Sequence, residues 1–473
     1  MLNERSATTG LEMEAVRSLA AELQGELITP ADAGYDEART IYNAMIDKRP
    51  ALIARCATVA DVLAAVNFGR EQHLDVAVRG GGHNGAGLAL ADDGLVIDLS
   101  LMKDIQVDPD ARTVRVAGGC TWGEVDQATH AYGLAVPSGI ISTTGVGGLT
   151  LGGGLGYLSR KYGLTIDNLL AVDVVLADGR FVTASEDENP DLFWAVRGGG
   201  GNFGVVTSFL FQAQPVGMVY GGPIIWPIDQ TEEILRWYLD FIADAPENIS
   251  GWFGVHRVPT GSPLPAELHS AHGCVITWCY TGPMEQAEEV FRPIRALGTP
   301  VLDLAGPLPF PQLQSMFDQI YYPPGLQWYW KADFFREVSD EAIDLHLRFG
   351  SDLPSELCTM HLYPINGAVQ RVGRTATAFS FRDVTFAQVI VGVDSDPAGV
   401  DRITQWARQY WAALHPYSAG GAYVNMMMEE GQERVEAAYR DNYQRLAAVK
   451  NKYDPANLFH VNQNIRPVAG QAS

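Results

Sequence analysis

The chain contains 473 residues, of which 47% are hydrophobic and 19% are charged. This composition is typical of a folded globular protein and excludes a disordered chain. The 33 basic and 56 acidic side chains give a formal net charge of −23, which repels phosphate groups and argues against nucleic acid or an anionic membrane surface as a partner.

The first residues, MLNERSATTG, lack the apolar core of a signal peptide, and no run approaches the ~18 apolar residues of a membrane span. The five cysteines include no CxxC pair and are odd in number, which argues against a disulfide framework. We therefore expect a cytoplasmic protein with reduced thiols.

Helices and strands alternate along the first half of the chain. The Thr58-x-x-Asp61 spacing predicts a capping box at the start of a helix over 58–70. Two β-rich runs that meet at Asp178-Gly179 predict a hairpin over 169–185. Further strands are predicted over 75–79, 95–100, 112–118, 205–214, 219–226, 250–257 and 273–280, and further helices over 121–132, 230–244 and 429–452, the last ending before Pro455.

Glycine is concentrated in three clusters, over 80–87, 145–156 and 198–204. We interpret them as loops at strand ends whose backbone approaches an anion such as a pyrophosphate, and the alternative is a set of tight turns. Two GxGxxG strings begin at Gly80 and Gly199, but neither is followed by a helical pattern, so a Rossmann site is excluded. The chain also lacks the GxxxxGK[ST] string of a P-loop.

Four ordered motifs carry a resemblance to a known family. They are RGGGHN at 79–84, GVGGLTLGGGLGYLSRKYGLTIDN at 145–168, DLFWAVRGGGGNFGVVTSF at 191–209 and NYQRLAAVKNKYDPANLFHVNQNI at 442–465. In this order they resemble the FAD-linked oxidoreductases of the vanillyl-alcohol-oxidase (PCMH) fold, in the berberine-bridge-enzyme-like branch, and within it bacterial members of the 6-hydroxynicotine-oxidase type. The resemblance covers residues 45–215 and 421–467, about half of the chain.

The resemblance implies an α+β fold of two domains. A PCMH-type FAD-binding domain would occupy residues 1–215, with its core at about 45–215. A second α+β domain with an antiparallel sheet would bind the substrate with residues 216–420. A berberine-bridge-like segment, 421–473, would return to the FAD domain.

The family also implies how FAD is held. Its first-loop histidine, which matches His83, is bonded to the 8α-methyl group of the flavin. Many relatives add a cysteinyl bond, but Ile141 occupies that position here and cannot form one, so we expect a single covalent link. The expected cofactor-binding residues are His83, Arg79, Gly80, Gly81, Gly82, Asn84, Gly145, Gly147, Gly148, Gly152, Gly153, Gly154, Val205, Asn425, Asn462 and Gln463. No metal is expected, and Asn462 and Gln463 would lie on a closing strand.

The same family gives expectations for the reaction, in which a hydride passes from a C–H next to O or N of a small or medium organic substrate to flavin N5. Thr144 matches the residue that controls the access of O₂, and its small branched side chain favours an oxidase. The catalytic tyrosine of many relatives is replaced by Met426 in Tyr423-Val424-Asn425-Met426, as it is in some relatives that oxidise cyclic amines.

Candidate substrate contacts come from the central part of the chain. His361 and Tyr363 in MHLYP point to one face of a strand and, with Thr144, are our catalytic candidates. Gln327-Trp328-Tyr329-Trp330-Lys331 would offer an aromatic wall and one ammonium group, and Tyr157 and Tyr162 are further candidates; all of these also fit ordinary core positions. The alternatives are an oxidase that closes or desaturates a ring in a natural product, a carbohydrate or alcohol oxidase, and a flavin-binding protein without turnover. The sequence does not fix the oligomeric state.

Overall fold

The computed structural model describes residues 11–260, 262, 264–318 and 323–468. The expectation that no leader precedes the fold falls on residues 1–10, which lie outside the described residues. In the described parts of the chain, no helix is both long and apolar enough to span a membrane. The mixed α+β architecture expected from the sequence is confirmed, and the described residues form three sheets.

The first sheet has four strands, three of them parallel. In spatial order they are Glu26–Ile28, Leu52–Arg55, Leu95–Asp98 and Val76–Arg79, with Glu26–Ile28 antiparallel to its neighbour. Helix Val59–Glu71 connects two of the parallel strands, and the predicted capping box between Thr58 and Asp61 is present. Helices Met13–Glu22 and Tyr35–Ala38 precede this unit.

The second sheet is antiparallel and has five strands. Their order is Ile105–Asp108, Thr113–Ala117, Val205–Gln212, Leu169–Val175 and Phe181–Ser185. The predicted hairpin turns at Asp178-Gly179, where Gly179 takes a φ of +83° that side chains rarely allow. Helices Trp122–His130, Val146–Gly152, Ser159–Tyr162 and Pro190–Val196 accompany this sheet.

The third sheet is antiparallel and is built from strands between residues 218 and 394. Its order is Leu302–Asp303, Met218–Pro227, His272–Tyr280, Ile249–Arg257, Thr359–Pro364, Phe386–Asp394 and Gln327–Phe335, with Gly306–Pro309 also paired to Met218–Pro227. Alternate side chains face a helical layer, as Phe253 and Met360 do, or the glycine clusters, as Trp252 and Tyr363 do. The helices that follow or interrupt these strands are Thr231–Asp244, Ala287–Arg295, Phe310–Ser315, Asp340–Ser351, Ala368–Arg371 and Val400–Leu414.

Three expectations about local structure are wrong. The helix predicted over 429–452 is two helices, Gln432–Tyr439 and Asn442–Tyr453, because Arg440 takes a φ of +49° between them. Residues 460–465 form no strand, although a closing strand was expected there. The second glycine cluster is not a simple loop, since it contains helix Val146–Gly152.

The C-terminal helix is tied to the third glycine cluster by a buried lysine. Lys450 Nζ forms an ion pair of 2.6 Å with Asp454 and donates to the carbonyl oxygens of Asn202 (2.7 Å) and Phe459 (3.1 Å). Because buried charges need such partners, these contacts fix the C-terminal segment against the glycine cluster.

Candidate active site

A cavity of about 320 Å³ lies between the glycine clusters and the third sheet. Its glycine wall consists of Gly80, Gly81, Gly82, Gly145, Gly147, Gly148, Gly200, Gly201 and Gly204. The opposite side, which we call the upper wall, consists of Trp328, Trp330, His361, Tyr363, Val389 and Val391 from three neighbouring strands. Of the other residues expected at the site, His83, Asn84, Thr144, Asn425, Asn462 and Gln463 also line the cavity.

Five residues expected to touch the cofactor are not among those that line the cavity: Arg79, Gly152, Gly153, Gly154 and Val205. The Arg79 guanidinium lies 2.5 Å from Asp98, its register partner on the neighbouring strand, and donates to the Ala38 carbonyl. Gly152 lies behind the wall, where a Cβ atom would stand 2.2 Å from Asn425 Oδ1.

The glycine wall requires glycine where two clusters touch. A Cβ atom on Gly81 would lie 2.4 Å from Gly145 N, and one on Gly145 would lie 2.3 Å from Gly81 N. Backbone contact this close is possible only without side chains, so the first two clusters form one continuous surface.

The lining fits a flat cofactor with a phosphate-bearing tail. Glycine backbone forms one side, and in the described part of the chain the buried Tyr439 hydroxyl and Trp330 Nε1 have no hydrogen-bond partner. A Cβ atom on Gly200, in the glycine wall, would lie 3.9 Å from the Tyr439 hydroxyl. Since buried polar atoms are nearly always satisfied, a group bound along the glycine wall would give the Tyr439 hydroxyl its partner, as FAD would.

His83 is held at one end of the glycine wall by two neighbours. Its ring stacks on Tyr42 at 4.1 Å between centroids, and its Nε2 lies 3.1 Å from Thr143 Oγ1. Burial lowers the pKa of His83 to about 4, so the imidazole is neutral at pH 7. If Nε2 carries the proton and donates to Thr143, Nδ1 keeps a free lone pair.

The upper wall contains the predicted His361–Tyr363 pair. Both side chains are buried, and His361 Nδ1 lies 2.6 Å from the Tyr363 hydroxyl. Burial, with a contribution from His256, holds the pKa of His361 well below its usual value. A neutral imidazole bonded to a phenol in this way can take up or release the phenol proton.

Only some of residues 327–331 belong to the upper wall. Trp328 and Trp330 line the cavity, but Tyr329 and Lys331 alternate to the other face of the strand. Lys331 Nζ forms an ion pair of 2.7 Å with Glu430, so the expected ammonium group is not in the cavity. No Asp, Glu, Lys or Arg is among the described residues that line the cavity.

Ile141 and Met426, which the resemblance places where the family pattern has a cysteine and a tyrosine, both line the cavity. The five cysteines are all buried, and none of them is among the lining residues. Tyr157 and Tyr162 are not lining residues either; the Tyr157 hydroxyl lies 3.4 Å from Trp252 Nε1. Within the described residues, no group of three or more His, Cys, Asp or Glu side chains could hold a metal ion.

The sequence analysis does not single out three ring side chains at this site: Tyr42 and Tyr439, which line the cavity, and His256, which contacts His361. His256 lies 3.1 Å from His361 and thus extends the His361–Tyr363 pair. The only sequence signal for His256 is its place on a predicted strand, at even spacing from Trp252. Tyr42 and Tyr439 lie outside the motifs, and no local pattern marks them.

Comparisons with known proteins agree with this geometry. A family model described as "FAD binding domain" matches residues 50–185, and one described as "Berberine and berberine like" matches residues 422–466. An FAD-linked oxidoreductase of Dictyostelium discoideum is 34% identical over 90% of this chain and 91% of its own length. The (R)-6-hydroxynicotine oxidase of Paenarthrobacter nicotinovorans is 31% identical over 94% of this chain and 97% of its own.

A solved structure extends the agreement to the fold. The crystal structure of 6-hydroxy-D-nicotine oxidase from Arthrobacter nicotinovorans superposes with a TM-score of 0.84 at 30% identity, covering 94% of this chain and 98% of that one. One family model describes an FAD-binding domain, one relative is named as an FAD-linked oxidoreductase and the other as an oxidase. The chain belongs to the FAD-linked oxidoreductases of the berberine-bridge-like family.

Proposed function

We propose that this FAD-dependent oxidoreductase is an oxidase. It takes a hydride from a C–H next to O or N of a small or medium organic substrate, holds FAD through a single bond to His83, and uses O₂ as the final acceptor. The observation that carries the proposal is that the buried Tyr363–His361 pair and the glycine wall with His83 face one cavity.

FAD, when bound, supplies the hydride acceptor at N5. The upper wall orients the substrate carbon, and Trp328 and Trp330 provide flat apolar surface for it. Tyr363 accepts the proton that the substrate loses, while His361 takes the phenol proton in turn. This pair thus replaces the base that Met426 cannot provide.

We also propose that the chain has the domain organisation of its family. Residues 1–215 would bind FAD, 216–420 would bind the substrate, and 421–473 would return to the FAD domain. The third sheet, with strands between 218 and 394, and the lining residues Asn425, Asn462 and Gln463 support this division.

The absence of charged side chains among the described lining residues limits the kinds of substrate that can bind. Burying an unpaired charge is costly, and none of the described lining residues offers a countercharge. The substrate is therefore neutral when it binds, so a cyclic amine binds as its free base. The paired tryptophans favour an aromatic substrate, as for a ring-forming natural-product oxidase, over a carbohydrate, whose many hydroxyls need polar partners.

A substrate panel tests the proposal. The purified protein is mixed without oxygen with 6-hydroxynicotine, a benzylic alcohol, a polycyclic phenol and a xylooligosaccharide, and the visible absorbance of the oxidised flavin is followed. We expect an aromatic compound to bleach the flavin and air to restore it with consumption of O₂. If only the xylooligosaccharide bleached the flavin, a carbohydrate would be favoured over an aromatic substrate. A flavin that only dithionite reduces would mark a flavin-binding protein without turnover.

The role of Thr144 in O₂ access gives a separate prediction. In Thr144→Leu, the larger side chain would fill cavity space beside the glycine wall. We expect reoxidation by O₂ to slow about tenfold, equivalent to ~1.4 kcal/mol of barrier, with no change in reduction by the substrate. Stopped-flow absorbance measures both steps. Ile141→Leu, a nearly isosteric change in the same loop, is the control, and equal reoxidation rates in both variants would contradict the role.

A further inference from the structure

We propose that Tyr363, His361 and His256 form a proton relay that connects the FAD cavity with a second cavity in the substrate-binding part of the chain. The relay rests on the proposed function, since it carries away the proton that the substrate loses. His256 acts through His361 and is a positioning and proton-passing residue, whereas Tyr363 faces the FAD cavity directly.

The three side chains form a continuous hydrogen-bonded row on one face of the third sheet. The Tyr363 hydroxyl lies 2.6 Å from His361 Nδ1, and His361 Nε2 lies 3.1 Å from His256 Nε2. The row crosses from strand Thr359–Pro364 to strand Ile249–Arg257. Such distances permit proton transfer at each step.

Gly254 makes the crossing possible. It is the register partner of His361 and lies between the two histidines along the sheet face. A Cβ atom there would stand 2.7 Å from His256 Nε2 and 2.9 Å from His361 Cδ2. Any larger residue at 254 would therefore push the two rings apart.

The two imidazoles must share one proton between their Nε2 atoms. Burial, together with His272, lowers the pKa of His256 to about 3, so both rings are neutral at pH 7. A neutral imidazole has one donor and one acceptor nitrogen, so the row has two arrangements, each with every donor pointing in one direction. Passing from one to the other moves a proton one step along the entire row.

The proton transfer balances as follows. The substrate's O–H or N–H bond breaks and Tyr363 Oη gains that proton, while the Tyr363 proton moves to His361 Nδ1. The His361 Nε2 proton moves to His256 Nε2, and the His256 Nδ1 proton leaves to water. The two electrons leave the substrate with the hydride, so the three residues stay neutral throughout.

Thr359 stabilises the arrangement reached after transfer. Its Oγ1 donates to the Val255 carbonyl at 2.9 Å and lies 3.1 Å from His256 Nε2. Since the hydroxyl proton is directed at the carbonyl, Oγ1 offers a lone pair to a proton on His256 Nε2.

The second cavity gives the proton a destination. It has about 130 Å³, and His256 and His272 line it. Its other lining residues are apolar and include Val301 and Leu304, which are 43% and 47% exposed, so the space reaches the protein surface at that end. His272 Nε2 bonds to the Gly350 carbonyl at 2.8 Å, which leaves Nδ1 as an acceptor. Water in this cavity would have both histidines as polar partners.

The molecule contains a matched pair without this continuation. On the helical side of the third sheet, His346 Nδ1 lies 2.6 Å from the Tyr410 hydroxyl, and both residues are fully buried. Among the described residues, His346 Nε2 has no hydrogen-bond partner. This pair has the same tyrosine–histidine contact as Tyr363 and His361, but no second histidine corresponds to His256 among the described residues around it.

The shared proton can be detected without any substrate. In protein labelled with ¹⁵N-histidine, we expect NMR to show a coupling across the hydrogen bond between the Nε2 atoms of His361 and His256, and Gly254→Ala to abolish it. Protons on Nδ1 of both rings, with no such coupling, would overturn the relay. This result is independent of turnover and stands even if no substrate is found.

Kinetics test whether the proton uses this route. With the best substrate of the panel, we expect His256→Gln to slow flavin reduction about tenfold at unchanged FAD content and substrate affinity. His256→Ala should be slowed similarly and restored by free imidazole, which can enter from the second cavity. His346→Gln is the control and should match the wild type. A wild-type rate in His256→Gln, or a slow His256→Ala that imidazole does not restore, would overturn the role.

Discussion

His83→Ala is expected to release all of its FAD when the protein is precipitated with acid, whereas the wild type retains the cofactor in the precipitate. The proposed bond requires a neutral imidazole with a free nitrogen, and burial lowers the pKa of His83 to about 4. Thr143, 3.1 Å from Nε2, and Tyr42, stacked on the ring, hold it in a fixed orientation. Absorbance of the supernatant and the mass of the denatured chain measure the link.

Two further variants make this result specific. His73→Asn changes an exposed histidine at a φ of +54°, a conformation that asparagine tolerates, and should keep the FAD in the precipitate. Thr143→Val removes the partner of Nε2 and should slow formation of the bond without preventing FAD from binding. FAD released from the wild type would disprove the covalent bond, and FAD retained by His83→Ala would move it to another residue.

Local motifs in the sequence were sufficient to predict much of the cavity. The glycine wall requires close backbone contact, as between Gly81 and Gly145, and only glycine permits this, so the sequence pattern and the geometry coincide. His83 lies inside the first motif and Thr144 directly precedes the second, and both line the cavity. The His361–Tyr363 pair followed from the alternation of a single strand.

The predictions fail where contacts between segments that are distant in the sequence determine the local structure or the direction of a side chain. Arg79 lies in a motif, but its register partner Asp98 draws the side chain away from the cavity. Successive side chains of a strand point to opposite faces, so Lys331 lies on the face opposite Trp330. There it forms an ion pair with Glu430. Arg440 divides the helix predicted over 429–452 into two, although no glycine or proline is present there to indicate a break. The contact between His256 and His361 depends on the pairing of their two strands, which the sequence does not specify.

The net charge of −23 and the cavity illustrate why composition constrains a binding site so weakly. No Asp or Glu carboxylate is among the described residues that line the cavity. Several of the buried acidic groups serve the fold instead, as Asp454 does in its 2.6 Å ion pair with Lys450. Selection of the substrate therefore depends on the upper wall and its one hydrogen-bonding pair.

Tyr363→Phe is the variant expected to affect the reaction most. It removes the hydroxyl to which we assign the substrate proton in the proposed mechanism and leaves the ring, so the shape of the upper wall is preserved. We expect the rate of flavin reduction to fall about 10²-fold, the lower end of the range for removal of a general base, with FAD content unchanged. The rate is followed anaerobically by stopped-flow absorbance.

The matched control is Tyr410→Phe, which removes the same hydroxyl–imidazole contact of 2.6 Å from His346, on the other side of the sheet. It should reduce at the wild-type rate, because Tyr410 and His346 do not line the FAD cavity. Equal losses in the two variants would reflect damage to the fold and not to the reaction. If Tyr363→Phe reduced at the wild-type rate, the substrate would give up its hydride without a base, as a neutral amine can. The Tyr363–His361 pair would then orient the substrate without accepting its proton.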